Sequence, residues 1–98
     1  MKKDLNKILT ILRGVTPFLR KEFNVESIEV FGSYIRKEQN LKSDLDLLVT
    51  FSKTPSLLKF VELENFLSDK IGIKVDLVMK NAVKPRLKHS IFSNAISV

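Results

Sequence analysis

Apolar residues recur at intervals of three and four from the start of the chain. Leu5, Ile8, Leu9, Leu12, Val15, Leu19 and Phe23 form one stripe, which predicts a helix over residues 3–23. Gly14 and Pro17 interrupt that stripe, so a kinked helix or two abutting pieces is expected, with Thr16 capping a restart and Pro17 at its first helical position. Asn24 is the expected stop. The period then falls to two: over residues 25–31, Ile28 and Val30 alternate with Ser27 and Glu29, a strand signature. A short helical turn is expected at 34–37 behind Ser33, then a polar loop over 38–43.

Residues 45–51 read as a second strand. Leu45, Leu47, Val49 and Phe51 make one face, and Asp44, Asp46, Leu48 and Thr50 the other. The second face begins with two acids and ends apolar, the pattern of a strand covered on both sides along most of its length. A helix is expected over about residues 56–70, entered at Thr54-Pro55-Ser56 and ended by Gly72. Leu57, Phe60, Val61, Glu64 and Leu67 share one side of it, which Leu58 and Phe66 broaden. Residues 74–79, KVDLVM, form a third strand with Asp76 in its middle. A loop over 81–84, a short helix over 85–92 and an edge strand over 95–98 complete the chain. The order α-β-α-β-α-β-α-β predicts one α/β (α+β) domain over 1–98, a small mixed sheet of about four strands flanked by helices.

Composition narrows the class. Hydrophobic residues are 44% of the 98 and charged residues 29%, an ordinary globular balance. With no cysteine there is no disulfide and no thiolate metal site, which fits a reducing compartment. Lys2 and Lys3 open the chain, but Asp4, Asn6, Lys7, Thr10 and Arg13 break the apolar run behind them, so no signal-peptide core is present. No segment is long enough to span a bilayer, and a cytoplasmic protein is expected. The net charge is +6, with 17 Lys and Arg scattered along the chain and one modest cluster at Lys80, Lys84, Arg86 and Lys88. Without an aromatic-interleaved basic stripe, that charge favours solubility or partner binding over stable nucleic-acid binding.

The candidate chemistry lies between Gly32 and Val49, and at Asp76. Alternation along a strand puts Asp44 and Asp46 on one face, with Cα atoms about 6.5–7 Å apart. Asp76, on the next strand-like run, is placed to join them. Carboxylates at that spacing repel by roughly 2–3 kcal/mol per pair at an effective dielectric of about 20. Protonation or a hard cation relieves this, and an all-oxygen donor set suits Mg²⁺ or Mn²⁺. The plainer alternative makes Asp44 a turn residue, with Asp46 and Asp76 solubilising an edge. Gly32 and Ser33 stand at a strand-to-helix turn, where helix-start amides and a hydroxyl make a phosphate nest; the alternative is a plain turn with a serine cap. Arg36, one turn further on, is either within reach of the phosphates and the acids or a solvated surface arginine. His89, the single histidine, is read as a helix residue rather than a metal ligand, and Tyr34, the single tyrosine, as packing against the strand.

Gly32-Ser33-x-x-Arg36, its spacing to Ser43-Asp44-Leu45-Asp46-Leu47, and a later strand carrying Asp76 resemble the DNA polymerase beta nucleotidyltransferase superfamily. Within it the chain is similar to the minimal nucleotidyltransferases, the MntA-like antitoxins paired with HEPN toxins. The resemblance covers nearly the whole chain, including the segment NAVKPRLK. It departs at Lys37, where the family usually has glycine, and at Ile35, where it has alanine. It implies that Asp44 and Asp46 hold a metal, that Asp76 completes the site and helps activate the acceptor hydroxyl, and that Gly32 and Ser33 hold the triphosphate, with Arg36 nearby.

The implied cofactor is Mg²⁺, as two ions, with Mn²⁺ able to substitute; such pairs sit typically about 3.5–4 Å apart. ATP is the implied donor. The expected activity is transfer of AMP from ATP, with release of pyrophosphate, to a tyrosine of a small all-helical HEPN ribonuclease. The chain would thereby act as an antitoxin in a hetero-oligomer with that toxin. Two alternatives stay open: an antitoxin that masks the toxin by binding alone, and a transferase acting on a small molecule or RNA.

Overall fold

The computed structural model describes residues 5–31, 44–83 and 95–98. The N-terminal stripe forms one continuous helix, α1 (Leu5–Phe23), with Pro17 inside it. Of the two forms expected, two abutting pieces are not seen: the helix runs through Pro17. Proline deprives the Arg13 carbonyl of its intrahelical donor, but Arg13, Gly14 and Pro17 all lie on the exposed side, open to solvent. Ile8, Leu9, Leu12, Leu19 and Phe23 stay buried on both sides of the proline. Thr16 caps nothing; its hydroxyl donates back to the Leu12 carbonyl at 2.8 Å.

Asn24 ends α1 with a left-handed backbone, φ 57°, a conformation asparagine tolerates better than most residues. Its carbonyl accepts from the Ser52 backbone N–H at 2.9 Å, which ties the start of β1 (Val25–Phe31) to the end of β2 (Leu45–Phe51). These strands are antiparallel, with an irregularity between Val25 and Ser27. Ser56 then caps α2 (Leu57–Ile71), its hydroxyl accepting from the Lys59 N–H, and Gly72 closes that helix at φ 81°. The chain returns through β3 (Val75–Met79), parallel to β2, and a short 3-10 turn at Lys80–Ala82 where a loop was expected. β4 (Ile96–Ser97) pairs antiparallel with β1. The mixed sheet runs β3-β2-β1-β4, the four-stranded α/β arrangement expected. The helices expected at 34–37 and 85–92 lie outside the described residues.

Both helices pack on one face of the sheet, and α1 also packs against α2. The core between them takes Ile8, Leu12 and Leu19 from α1, Ile28, Val30, Leu45, Leu47, Val49, Val75 and Leu77 from the strands, and Leu63, Leu67 and Ile71 from α2. The buried side of α2 differs from the one expected. Leu57 and Leu58 are 79% and 70% exposed, and Val61 is exposed as well. The inward row runs Phe60, Leu63, Leu67, Ile71, with Phe66 stacking 5.0 Å from Phe18 of α1. Apolar residues surround the first half of α2, so periodicity alone did not select a side.

Candidate functional site

Asp44, Asp46 and Asp76 lie towards the same end of the β2–β3 pair, with Asp46 and Asp76 in register. The Leu45 N–H donates to the Lys74 carbonyl at 2.8 Å, which sets the parallel register: Leu45 beside Val75, Asp46 beside Asp76, Leu47 beside Leu77. Register partners in a parallel pair point to the same face, and neighbouring strands are about 4.8 Å apart. Asp46 and Asp76 are therefore side by side on the face turned away from the helices, Asp46 half-buried and Asp76 exposed. Asp44 immediately precedes β2, and Lys74 immediately precedes β3. The two continue the register as an ion pair, Lys74 Nζ lying 4.0 Å from Asp44 Oδ2. The sequence reading did not single out Lys74; its place two residues before Asp76 was the available signal.

On its other side Asp46 pairs with Phe31, the last residue of β1. The Gly32-Ser33 motif follows Phe31 in sequence. Gly32, Ser33 and Arg36 lie outside the described residues, as do Tyr34, Lys37 and His89. One step along the sheet, Glu29, Leu48 and Val78 are in register. Leu48 is only 1% exposed although it faces away from the helices, so β2 is covered on both sides as its pattern predicted. Lys80 lies across this row and donates to Glu29 Oε1 at 2.7 Å. The acid face is thus wet at the Asp46–Asp76 end and dry one step further in.

The donor set suits a hard divalent cation. The groups are carboxylates, two of them, Asp46 and Asp76, held on adjacent strand backbones, with Asp44 just ahead of β2. Among the described residues no three acidic, histidine or cysteine side chains close into a metal cage. Mg²⁺ does not require one, since it keeps waters and binds through one or two carboxylates together with substrate phosphates. Among the described residues no helix is long and apolar enough to cross a membrane.

Residues 14–98 match the family model described as Polymerase beta, Nucleotidyltransferase. A Methanocaldococcus jannaschii protein, named as a candidate protein adenylyltransferase, is 52% identical over 97 residues, covering 98% of this chain and 99% of its own. The protein adenylyltransferase MntA of Thermococcus cleftensis is 44% identical over 94 residues, covering 96% and 95%. Among solved structures, a candidate minimal nucleotidyltransferase superposes with a TM-score of 0.82 at 31% identity, covering 98% of this chain and 97% of that one. A chain of a toxin–antitoxin complex with AMP-PNP gives 0.68 at 27% identity, covering 94% and 69%. A chain from the complex of the tri-AMPylated Shewanella oneidensis HEPN toxin with its MNT antitoxin gives 0.59 at 25%, covering 94% and 66%. The mixed sheet and its helices have the polymerase beta-like nucleotidyltransferase fold, and the chain belongs to the polymerase beta nucleotidyltransferase family.

Proposed function

We propose that this chain transfers AMP from ATP to a tyrosine hydroxyl of a HEPN ribonuclease partner and so acts as that toxin's antitoxin. The observation that carries the reading is the register of Asp46 with Asp76. It sets two carboxylates side by side on adjacent strands, which supports metal-assisted phosphoryl transfer as the chemistry. The relatives in which this chain's sequence is matched nearly end to end are named for protein adenylylation, and similar chains are found in toxin–antitoxin complexes, one with AMP-PNP and one with an AMPylated toxin.

In this reading Gly32 and Ser33 hold the triphosphate and Arg36 neutralises it. Asp44 and Asp46 hold the divalent metal, and Asp76 completes its site. Mg²⁺, when bound there, screens the charge that develops on the phosphates and on the acceptor oxygen. Asp76 stands on the acceptor side, where its carboxylate takes the hydroxyl proton. The tyrosine oxygen bonds to the α-phosphorus as the bond from that phosphorus to the departing pyrophosphate breaks. Asp46 is half-buried beside Leu45 and Leu47, both buried, so its position is set by the core. The solvent side of Asp76 leaves room for a protein acceptor.

Co-expression with the partner tests the reading. The wild-type chain relieves growth arrest by the toxin. An Asp44→Ala, Asp46→Ala double variant, folded and still co-purifying with the toxin, gives no relief. Full relief by the double variant would mean that contact alone neutralises the toxin.

A further inference from the structure

β3 is an edge strand, so every second amide of it points away from β2. Such amides ordinarily go to water, or offer a pairing edge to another chain. Here α2 takes two of them. The Val75 N–H donates to Ser68 Oγ at 2.9 Å, and the Leu77 N–H donates to Glu64 Oε2 at 3.0 Å. Ser68 spends its own proton on the Glu64 carbonyl at 2.9 Å, which leaves its oxygen lone pairs facing Val75. The residue between the two held amides is Asp76.

We infer that Glu64 and Ser68 are positioning residues for Asp76, acting through the backbone on either side of it. This rests on the proposed role of Asp76 in the reaction. Asp76 is exposed, second in a strand of five residues, and set directly against a like charge at Asp46. Like charges opposite one another on neighbouring strands push the pair apart, and a short edge strand yields to that push by fraying. The β2 ladder holds β3 from one side only. The two side chains of α2 hold it from the other, one of them by a charge-assisted bond, roughly twice as strong as a neutral one. Water would satisfy the same amides equally well but would not fix where Asp76 stands. α2 is itself anchored in the core by Leu63, Leu67 and Ile71, so the clamp transmits the position of the core to the carboxylate.

The test compares Ser68→Ala, Glu64→Leu and Glu64→Gln with wild type and with Asp76→Asn. Amide hydrogen exchange at Val75 and Leu77 reports the clamp itself. Mn²⁺ binding in the presence of AMP-PNP, followed by electron paramagnetic resonance, reports the site. Ser68→Ala and Glu64→Leu should each speed exchange at the amide they release and weaken Mn²⁺ binding about tenfold, the low end for a residue that orients a metal ligand. Glu64→Gln, which keeps an acceptor oxygen for the Leu77 N–H, should bind Mn²⁺ more tightly than Glu64→Leu and closer to wild type. Should Glu64→Leu fail to fold, Ser68→Ala carries the comparison alone. Faster exchange with unchanged Mn²⁺ binding, in variants where Asp76→Asn does weaken it, would overturn the inference and leave the proposed function standing. Unchanged binding in Asp76→Asn itself would overturn the role of that aspartate, and the inference with it.

Discussion

Asp46 and Asp76 are register partners across two parallel strands, a like-charged pair on a surface that is otherwise built to pack. In a protein whose only concern was stability, that pair would be a defect. Replacing Asp76, the exposed member, by asparagine should therefore raise stability in metal-free buffer, by up to about 1 kcal/mol. The gain should shrink as salt screens the repulsion. Urea unfolding at low and high ionic strength measures both. A loss of stability would mean that Asp76 makes contacts worth more than the repulsion it suffers.

The Lys74–Asp44 pair is a different case. At 4.0 Å with side chains 79% and 42% exposed, it belongs to the class of surface ion pairs worth about 0–1 kcal/mol. Lys74→Met should leave the urea midpoint almost unchanged. A drop equivalent to about 2 kcal/mol or more would show a role beyond that ordinary range.

α2 offers a contrast within a single helix. Leu63 is fully buried, whereas Leu57 is 79% exposed. Leu63→Ala should cost about 2–5 kcal/mol, and Leu57→Ala should fall within about 0.5 kcal/mol of wild type. Thermal unfolding of the two variants side by side decides between the observed inward row and the Leu57–Val61 row that periodicity alone suggests.

The ends of α2 are fixed by single residues. Ser56 caps it through a side-chain bond of 3.2 Å to the Lys59 N–H, and Ser56→Ala should cost about 1 kcal/mol. Gly72 ends it at φ 81° with its N–H on the Ser68 carbonyl. Gly72→Ala should cost about 1–2 kcal/mol, because a Cβ is strained in that conformation. Circular dichroism melts test both. Neutral results would mean that the tertiary contacts of α2 set its length and the caps do not.

Much of this was legible in the chain because it is local. Alternation gave β1, β2 and the two faces of β2, Asn24 and Gly72 marked helix ends through their own backbone freedom, and Thr54-Pro55-Ser56 marked a helix start. The spacing of Asp44 and Asp46 placed both beside an apolar strand. What the sequence did not carry was non-local. Nothing in residues 45–51 says that Val75, and not Leu77, stands beside Leu45, so the pairing of Asp46 with Asp76 emerges only when the sheet forms. The same is true of Glu64 and Ser68, which read as helix-surface residues until the edge of β3 is seen against them. That α1 stays one helix through Pro17 is non-local too: the stripe on either side of it packs on one sheet, and that packing outweighs one lost helical bond. For Gly32, Ser33 and Arg36 the sequence motif remains the whole argument.

The most direct measurement is the intact mass of the HEPN partner after incubation with this chain, ATP and Mg²⁺. Gains in whole AMP units, carried on a tyrosine, are expected with the wild-type chain, and none with Asp46→Asn or Asp76→Asn at equal complex formation. A partner of unchanged mass in the presence of folded wild-type chain and either Mg²⁺ or Mn²⁺, or an equal gain with the two variants, would contradict the proposed AMP transfer.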